Sequence, residues 1–267
     1  MLSNHTTCRI CGEPLPLPFL DLGSPRTGLQ PLANNLPTET YADVPQYPLR
    51  LTKCQSCHLV QLDYVVPADE LFSHYLYTPD QSQAFRDHFK QMAADLMSYT
   101  EMGQNDFVVD VGSNSGLLLS YFQGFGIPRV LGVEPAANLV KMAIENGVPT
   151  HHDYFAPDVA ADIAKRYGRA SLITATNVFA HVDDIHECMQ AVDILLAPTG
   201  LFVIEVPGLL EFTRDGLFDT VYHEHRSYWS LYPMLALFGQ YDMKILDYQS
   251  VKMHGCSMRV YVARNSH

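Results

Sequence analysis

The sequence has no long apolar run. No stretch of its 267 residues approaches the roughly 18 consecutive apolar residues that a membrane-spanning helix requires. Its first residues, MLSNHTTCRICG, have neither the basic start nor the apolar core of a signal peptide. We therefore expect a cytoplasmic protein with no membrane partner.

Basic residues are also scarce. Lysine and arginine total 17 against 29 aspartates and glutamates, which gives a formal net charge of −12, and no basic block occurs. Nucleic-acid binding normally needs a cationic face, so a nucleic-acid partner is not expected. A phosphorylated substrate would have to be held by local donors. With 47% hydrophobic residues the chain can bury one α/β domain plus a small accessory unit.

Four of the six cysteines form two CxxC pairs. The pairs are Cys8 with Cys11 and Cys54 with Cys57. A two-residue spacing lets one tight turn present two thiolates to one metal ion, and two such turns complete a closed, structural Zn²⁺ site. The alternative is a redox CxxC, but such a motif usually opens a helix in a thioredoxin-like unit, which neither pair does. We interpret Cys188 and Cys256 as packed small hydrophobic residues.

The chain divides into three predicted segments. Residues 1–66 are rich in proline and loops and contain both CxxC pairs, so they form a zinc-binding module that needs the metal to fold. Residues 67–104 are helical in pattern and form a linker. Residues 105–267 form the larger domain.

The larger domain alternates apolar runs with amphipathic segments. The runs are FVVDVG, RVLGVEP, VPTHHD, SLITATNVF and LFVIEVP. This rhythm predicts an α/β fold with a mostly parallel sheet and helices on both faces. The last segments, MKILDYQSV and SMRVYVARN, predict two strands joined by a turn at HGC. An antiparallel hairpin that closes a parallel sheet is typical of class I methyltransferases.

A glycine loop follows the first predicted strand of this domain. In VVDVGSNSG, Gly112 and Gly116 allow a sharp turn and let backbone N–H groups contact a ligand at the start of a helix. A dinucleotide site would have a third glycine where Asn114 stands. The preceding Asp110 would repel a pyrophosphate but could hold water or the ammonium of a methionine moiety. A generic Rossmann-like turn remains the alternative.

Three further residues lie at predicted strand ends. Glu134 of GVEPA is placed to bridge two ribose hydroxyls, Asp153 could lie near an adenine amine, and Asn177 ends the fourth strand. Asp153 could equally be a solvated loop residue. Together with the glycine loop, these positions predict a site for S-adenosyl-L-methionine.

A second cluster, TVYHEHRSYW, follows the fifth predicted strand. It places Tyr222, Glu224 and His225 within four positions, which supplies a general base, a carboxylate to orient an imidazole and a phenol to donate to an oxyanion. His181 of NVFAHVDD follows the fourth strand at its carboxyl end. The alternatives are a metal-binding cluster or a surface histidine pair, and for His181 a helix cap.

With these motifs the sequence resembles the nucleotide-sugar C-methyltransferases, and most closely the 3-C-methyltransferases of deoxysugar biosynthesis. CxxC…CxxC, LFSHYLY, VDVGSNSG, GVEPA, NVFAHVDD, YHEH and HGCSMRV occur in that order and span nearly the whole chain. The resemblance implies a zinc module, a class I methyltransferase domain with a seven-stranded sheet, and a nucleotide-linked keto-sugar substrate.

The resemblance also implies roles for individual residues. His225 would be the base, with Tyr222, Glu224 and His181 around the sugar. Tyr75 or Tyr77 of LFSHYLY would reach in from the linker helix. Ser82 and His88 of the next helix would close over the donor.

The sequence departs from the family pattern in two ways. Family members commonly continue into a second Rossmann-like domain that helps to bind the nucleotide, whereas this sequence stops just after HGCSMRVYVARN. Either the sequence is truncated or the protein does without that domain, and the oligomeric state is open. Cys256 also stands where a glycine is usual.

The resemblance implies methylation at C3 of a nucleoside-diphosphate 4-keto-6-deoxy sugar through an enolate. His225 would remove the C3 proton, Tyr222 or His181 would stabilise the oxyanion, and Glu224 would fix the imidazole tautomer. The zinc ion would be structural and far from the chemistry. The alternatives are an O- or N-methyltransferase, a non-catalytic zinc-containing binding protein and a metal-dependent hydrolase that uses YHEH.

Overall fold

The structure is a computed structural model that describes residues 3–24, 27–32, 45–253 and 257–267. The N-terminal strands are β1 (Ser3–Asn4), β2 (Leu20–Asp21), β3 (Gln30–Pro31), β4 (Gln46–Tyr47), β5 (Arg50–Lys53), β6 (Val60–Leu62) and β7 (Tyr64–Val65). Helices α1 (Ala68–Phe72) and α2 (Gln83–Thr100) follow, with a 3₁₀ turn at Pro79–Gln81 between them.

The larger unit alternates strands and helices. It continues with β8 (Val108–Val111), α3 (Leu117–Gly124), β9 (Val130–Glu134), α4 (Ala137–Glu145), β10 (Thr150–His152), α5 (Pro157–Tyr167), β11 (Ala170–Thr176), α6 (Ile185–Leu195) and β12 (Leu196–Pro207). It ends with α7 (Leu209–Asp215), a 3₁₀ turn at Phe218–Thr220, β13 (Ser227–Tyr228), α8 (Leu231–Phe238), a 3₁₀ turn at Gly239–Tyr241, β14 (Met243–Val251) and β15 (Ser257–Arg264).

The central sheet has the order β10-β9-β8-β11-β12-β15-β14. Strands β8 to β12 pair in parallel, while β15 is antiparallel to both of its neighbours. This is the predicted mostly parallel sheet with a closing hairpin, and the α/β prediction is confirmed. The predicted HGC turn, including Cys256, lies outside the described residues.

Buried strands and amphipathic helices build two layers on this sheet. All residues of β8 and β9 are buried, as expected for parallel strands covered on both faces. Helices α2 and α3 pack against one face, and α5, α6 and α8 pack against the other. Helix α6 begins where the Asp184 side chain accepts a hydrogen bond from the Glu187 N–H at 2.9 Å.

The carboxyl ends of the parallel strands meet at one edge of the sheet. Val111, Val133 and Ala175 lie at equivalent levels of neighbouring strands. The loops that follow these strands therefore converge, and they contain most of the predicted site residues. This edge is where ligands bind in open α/β sheets.

The linker between the two units is helical only in part. Residues 73–78, between α1 and the 3₁₀ turn, are irregular. Pro79 explains the break, because a proline ring disfavours helical backbone in the preceding residue. Tyr75 and Tyr77 therefore lie on an extended segment, and the expectation that they reach in from a helix is wrong.

The N-terminal unit packs directly onto the larger one. Cys54, Cys57 and Leu59 belong to the same buried core as Phe202 and Trp229 of the larger unit. Strand β6 pairs with β13, so a second sheet in the order β13-β6-β5-β2 joins the two units. Among the described residues, no helix is long and apolar enough to cross a membrane.

Candidate active site

A cavity of about 1130 Å³ opens at the carboxyl edge of the central sheet. Most of the predicted site residues line it: Tyr75, Tyr77, Asp110, Gly112, Asn114, Glu134, Asn177, His181, Tyr222, Glu224 and His225. The glycine loop lies at one end and the YHEH segment at the other. One cavity thus brings together two clusters that are distant in sequence.

The glycine loop needs its glycines for space as well as for conformation. Gly112 has a φ of +63°, and a Cβ there would lie 2.3 Å from a methyl group of Val178. Gly116, with a φ of +80°, immediately precedes helix α3. The loop therefore brings its backbone N–H groups close to the cavity and to the start of a helix, an arrangement suited to a polar ligand.

Asp110 is a buried carboxyl group at the cavity wall. Its Oδ1 atom accepts a hydrogen bond from the Thr174 hydroxyl at 2.6 Å. Burial raises the pKa of Asp110 to about 7 despite this hydrogen bond. A cation bound at this end of the cavity would favour the ionised form and return the pKa toward its ordinary value.

We expect Asp110→Asn to change how stability depends on pH. Because the folded-state pKa of Asp110 is raised, its contribution to stability is fully present below the unfolded pKa of about 4 and is lost as the pH rises through about 7. Between pH 5 and pH 8, the free energy of unfolding of ligand-free Asp110→Asn protein should therefore rise relative to that of the wild type by up to a few kcal/mol.

Thermal unfolding at the two pH values measures this gain. The exposed Asp247 on β14 provides the control. The stability of Asp247→Asn protein relative to the wild type should be the same at pH 5 and pH 8. If the Asp110→Asn and Asp247→Asn proteins show the same pH dependence of stability, the buried carboxyl group does not cause the expected gain.

Glu134 is buried where β9 ends. Its two carboxylate oxygens accept backbone hydrogen bonds from Asn114 N–H and Ala136 N–H, each at 2.9 Å. These bonds hold the carboxylate rigidly beside the glycine loop. Burial raises the pKa of Glu134, while the two N–H donors act in the opposite direction.

Asn177 has an unusual backbone conformation at this end of the cavity. Its backbone is left-handed, with a φ of +57°, an uncommon conformation for a residue other than glycine. Its buried Oδ1 atom has no hydrogen-bond partner among the described residues, and neither has the Ser113 hydroxyl. Unpaired buried polar atoms beside a glycine loop fit a polar ligand such as S-adenosyl-L-methionine.

We expect Glu134→Ala to weaken binding of S-adenosylhomocysteine about tenfold to hundredfold. If Glu134 bridges the ribose hydroxyls as predicted, the change removes a charge-assisted contact worth about 1.5–3 kcal/mol. Isothermal calorimetry measures the affinity, and Glu145→Ala on the exposed side of α4 is the matched control. Unchanged affinity, or tight binding of NAD instead, would contradict the assignment of this end of the cavity.

Besides Gly116, three predicted donor-site residues do not line the cavity. Asp153 is exposed, and its side chain accepts from the Tyr154 N–H. Ser82 precedes α2, and the His88 imidazole lies 2.6 Å from a carboxylate oxygen of Glu205. His88 thus holds α2 against the sheet, and the donor-binding roles of these three residues stay predictions.

At the other end of the cavity, His225 is held in one tautomer. Its Nδ1 atom lies 2.8 Å from the Thr220 carbonyl oxygen, which can only accept a hydrogen bond, so Nδ1 carries the proton in the neutral ring. Its Nε2 atom lies 3.0 Å from the Tyr222 hydroxyl. Nε2 therefore offers a lone pair to which the Tyr222 phenol donates.

The expectation that Glu224 fixes this tautomer is wrong, because the acceptor at Nδ1 is a backbone carbonyl. The Glu224 carboxylate instead accepts a hydrogen bond from the Tyr75 hydroxyl at 2.9 Å. Burial raises the pKa of Glu224 to about 7. Both Tyr75 and Tyr77 line the cavity, but only the Tyr75 phenol contacts the YHEH cluster in this way.

His181 lies between two rings. It stacks on Phe72 at a centroid distance of 5.4 Å and on His225 at 5.3 Å. Burial, together with the neighbouring His225 and Arg226, holds the pKa of His181 well below its ordinary value. Its buried Nε2 atom has no partner among the described residues, so a neutral imidazole is available to a substrate group.

The four paired cysteines come together as predicted. Their Sγ atoms all lie within 4.8 Å of one another, and the Cys8–Cys57 and Cys11–Cys54 sulfurs are 3.4 Å apart. Four sulfurs at these separations fit a tetrahedral Zn²⁺ site, and three of the cysteines are buried. Among the described residues, these four cysteines are the group of side chains that could hold a metal ion.

This cluster is linked to the end of the cavity that contains the YHEH segment. Arg9, between the first two cysteines, donates to the Asp183 carboxylate at 3.1 Å and to the Arg226 carbonyl at 3.3 Å. Arg226 directly follows His225, and the next residues form β13, which pairs with β6. The expectation that the metal site is far from the chemistry stays a prediction, although one sheet joins the two segments.

Sequence reasoning missed several of these residues. Arg9 and Arg226 are ordinary basic residues in sequence, although each stands beside a motif that was identified. Thr220 contributes a backbone carbonyl, which leaves no signal in the sequence. Asn138 lies outside the motifs identified in the sequence, so no sequence signal marks it either.

Two family models match the chain. Residues 8–72 match a family described as "Putative zinc binding domain", and residues 83–248 match one described as "Methyltransferase domain". The chain is 37% identical over 258 residues to the C-methyltransferase NovU of Streptomyces niveus. That alignment covers 96% of this chain but 60% of NovU, so the chain spans less than two thirds of that relative's length.

Solved structures share the fold. A protein of Pyrococcus horikoshii, PH0226, matches with a TM-score of 0.54 at 13% identity over 70% of this chain and 94% of its own. Magnesium protoporphyrin IX methyltransferase of Synechocystis, crystallised with S-adenosylhomocysteine, matches with a TM-score of 0.51 at 14% identity over 67% and 83% of the two chains. The class I methyltransferase fold predicted from the sequence is confirmed.

Proposed function

The chain belongs to the methyltransferase-domain family, and on that premise we propose that it transfers the methyl group of S-adenosyl-L-methionine to a carbon atom. The named relative is a C-methyltransferase. The observation that carries the proposal is the position of His225 Nε2, a lone pair held in a cavity whose other end contains the glycine loop and Glu134.

The donor end of the cavity binds through charge and shape. Bound S-adenosyl-L-methionine supplies an electrophilic methyl group on a sulfonium. Glu134 accepts from the ribose hydroxyls, and Asp110 faces the cationic part of the donor. Desolvation of Asp110 is then offset by the positive charge, which accounts for a carboxyl group at a buried wall.

The substrate we propose is a nucleoside-diphosphate 4-keto-6-deoxy sugar. A C3–H bond next to the C4 ketone is acidic enough for a positioned base when the enolate oxygen is stabilised. His225 Nε2 takes the C3 proton, and the electron pair of that bond moves into the enolate. With S-adenosyl-L-methionine bound, the enolate carbon would accept its methyl group, and S-adenosylhomocysteine would be the leaving group.

The Tyr222 hydroxyl donates to two different acceptors in the course of this reaction. Its hydroxyl donates to His225 Nε2 at 3.0 Å, and the substrate C–H bond takes that place when it binds. The released phenol then donates to the C4 oxygen as negative charge develops there. The neutral His181 imidazole, with its unpartnered Nε2 atom, lies against the same ring and provides a second group for that oxygen.

The four-cysteine cluster binds Zn²⁺ in this proposal. Four sulfur ligands leave no open position for substrate, so the metal is structural. Its role is to hold the N-terminal unit whose strand β6 supports the segment after His225.

Incubation with labelled donor and a panel of nucleoside-diphosphate 4-keto-6-deoxy sugars tests the proposal. A product with a new methyl group at C3 supports it. Methylation at oxygen or nitrogen would favour the alternative methyltransferase reactions. No transfer to any member of the panel, with no binding of S-adenosylhomocysteine, would instead indicate a non-catalytic binding protein.

A further inference from the structure

Tyr75 is a cavity residue on a segment with little support of its own. The strap, defined here as residues 73–82 between α1 and α2, contains no strand, and its residues 73–78 are irregular. Leu76 is 70% exposed and Tyr77 is 48% exposed, so few apolar contacts hold this part of the strap in place. Yet the Tyr75 hydroxyl must meet the Glu224 carboxylate at 2.9 Å.

One side chain holds the backbone of Tyr75. The Tyr75 N–H donates to Asn138 Oδ1 at 3.2 Å, and Asn138 Nδ2 donates to the Tyr75 carbonyl at 2.7 Å. The two bonds satisfy both backbone groups of Tyr75, as a neighbouring strand would. A carboxamide donates from one atom and accepts at the atom beside it, whereas a carboxylate only accepts and an alkyl group does neither.

Asn138 is itself rigidly placed. It lies in the first turn of α4, directly before the buried residues Leu139 and Val140, and close after the end of β9. The strap is fixed separately on its other side, where Asn114 Nδ2 donates to the Tyr77 carbonyl and the Ser115 hydroxyl donates to Asp80. Loss of the Asn138 side chain would therefore release Tyr75 while these contacts remain.

We infer that Asn138 is a positioning residue that holds Tyr75 against Glu224 at the substrate end of the cavity. The role of this pair in turnover rests on the function proposed above, whereas the placement of Tyr75 does not. When Tyr75 donates to Glu224 it fixes one carboxylate oxygen and leaves the other for the substrate. Asn138 acts through Tyr75 and does not itself line the cavity.

Fluorine NMR of protein with 3-fluorotyrosine at position 75 tests the placement without any turnover. In the otherwise wild-type protein, Glu224→Gln should shift the resonance, because the phenol loses its charged acceptor. In Asn138→Ala protein the resonance should move toward that of an exposed tyrosine and should no longer respond to Glu224→Gln. An unchanged resonance in Asn138→Ala protein would overturn the inference.

Kinetics then test the consequence. Asn138→Ala should lower kcat about tenfold or more, as expected for two lost hydrogen bonds, and should change the affinity for S-adenosylhomocysteine by less than about threefold. Asn105→Ala, which removes the same group from an exposed turn, is the control and should match the wild type. Asn138→Asp keeps one of the two bonds and should lie between Asn138→Ala and the wild type.

A double-mutant cycle separates this role from general destabilisation. If Asn138 acts through the Tyr75 phenol, Tyr75→Phe and the Tyr75→Phe, Asn138→Ala double variant should have the same kcat. A further tenfold loss in the double variant would overturn the inference. If no sugar is turned over at all, the proposed function fails, and the fluorine resonance still decides the placement of Tyr75.

Discussion

In deuterated water, with S-adenosylhomocysteine in place of the methyl donor, we expect the wild-type protein to exchange the C3 proton of the proposed keto-sugar substrate. We expect the His225→Ala protein to lose this exchange. No methyl group can move under these conditions, so the exchange reports proton removal alone. A positioned general base contributes about 10²- to 10⁴-fold to such a step. Proton NMR of the sugar measures the rate, and methylation should fall to the same extent.

Two variants complete this experiment. Tyr222→Phe should slow both exchange and methylation about a hundredfold, because the enolate oxygen loses a donor and Nε2 loses its neighbour. His267→Ala removes an imidazole from the exposed C-terminal end and should leave both rates unchanged. Zinc content should be the same in every variant.

The tautomer observed at His225 sharpens the interpretation. The Thr220 carbonyl orients the ring, so Glu224→Gln should not abolish exchange by turning the imidazole. Robust exchange by the His225→Ala protein would move the base to Glu224, His181 or a tyrosine. Methylation at oxygen without any exchange would reject the carbanion mechanism.

Zinc removal should have the other large effect. We expect about one zinc ion per chain, and we expect Cys54→Ser or a strong chelator to unfold the N-terminal unit. Apparent binding free energies of structural zinc are about 10–16 kcal/mol in small zinc-dependent units. The short strands of this unit, of two to four residues, cannot replace such a contribution.

The structure predicts how this unfolding reaches the active site. Strand β6 pairs with β13 directly after Arg226, and Arg9 donates to Asp183 and to the Arg226 carbonyl. Zinc-free protein should therefore lose C3 exchange. Binding of S-adenosylhomocysteine should be reduced far less, because Asp110 and Glu134 belong to the central sheet.

Elemental analysis, calorimetry and the exchange assay measure these effects on the same samples. Cys188→Ala is the matched control, since it removes a buried thiol that is not in the cluster. Protein without zinc, with all cysteines reduced and exchange intact, would contradict both the metal assignment and its link to the cavity.

The sequence alone was sufficient for the features that depend on local chemistry. Apolar runs that alternate with amphipathic segments predict the parallel sheet, because a strand buried on both faces must be apolar along its length. Gly112 and Gly116 were identifiable because a sharp turn beside a ligand requires them. The spacing of the cysteines predicted their cluster, because one tight turn can present two thiolates to the same metal ion.

The remaining features depend on contacts between distant residues. Tyr75 meets Glu224 across 149 positions, and Arg9 meets Asp183 across 174 positions, so no local pattern could pair them. The choice between Tyr75 and Tyr77 depended on which phenol the strap turns toward Glu224. Asp153 ends a strand as predicted, yet its side chain faces solvent.

The sequence by itself thus determined the alternating strands and helices of the larger unit, the glycine loop, the four cysteines and the residues of YHEH, because each follows from the local conformation or the chemistry of its own motif. Only the tertiary structure decided that Thr220 orients His225, that Asn138 bonds to the backbone of Tyr75, and that the sheet of the zinc unit continues into the strand after His225. A backbone carbonyl, a lone carboxamide and a strand pairing acquire their roles from the groups that folding places beside them.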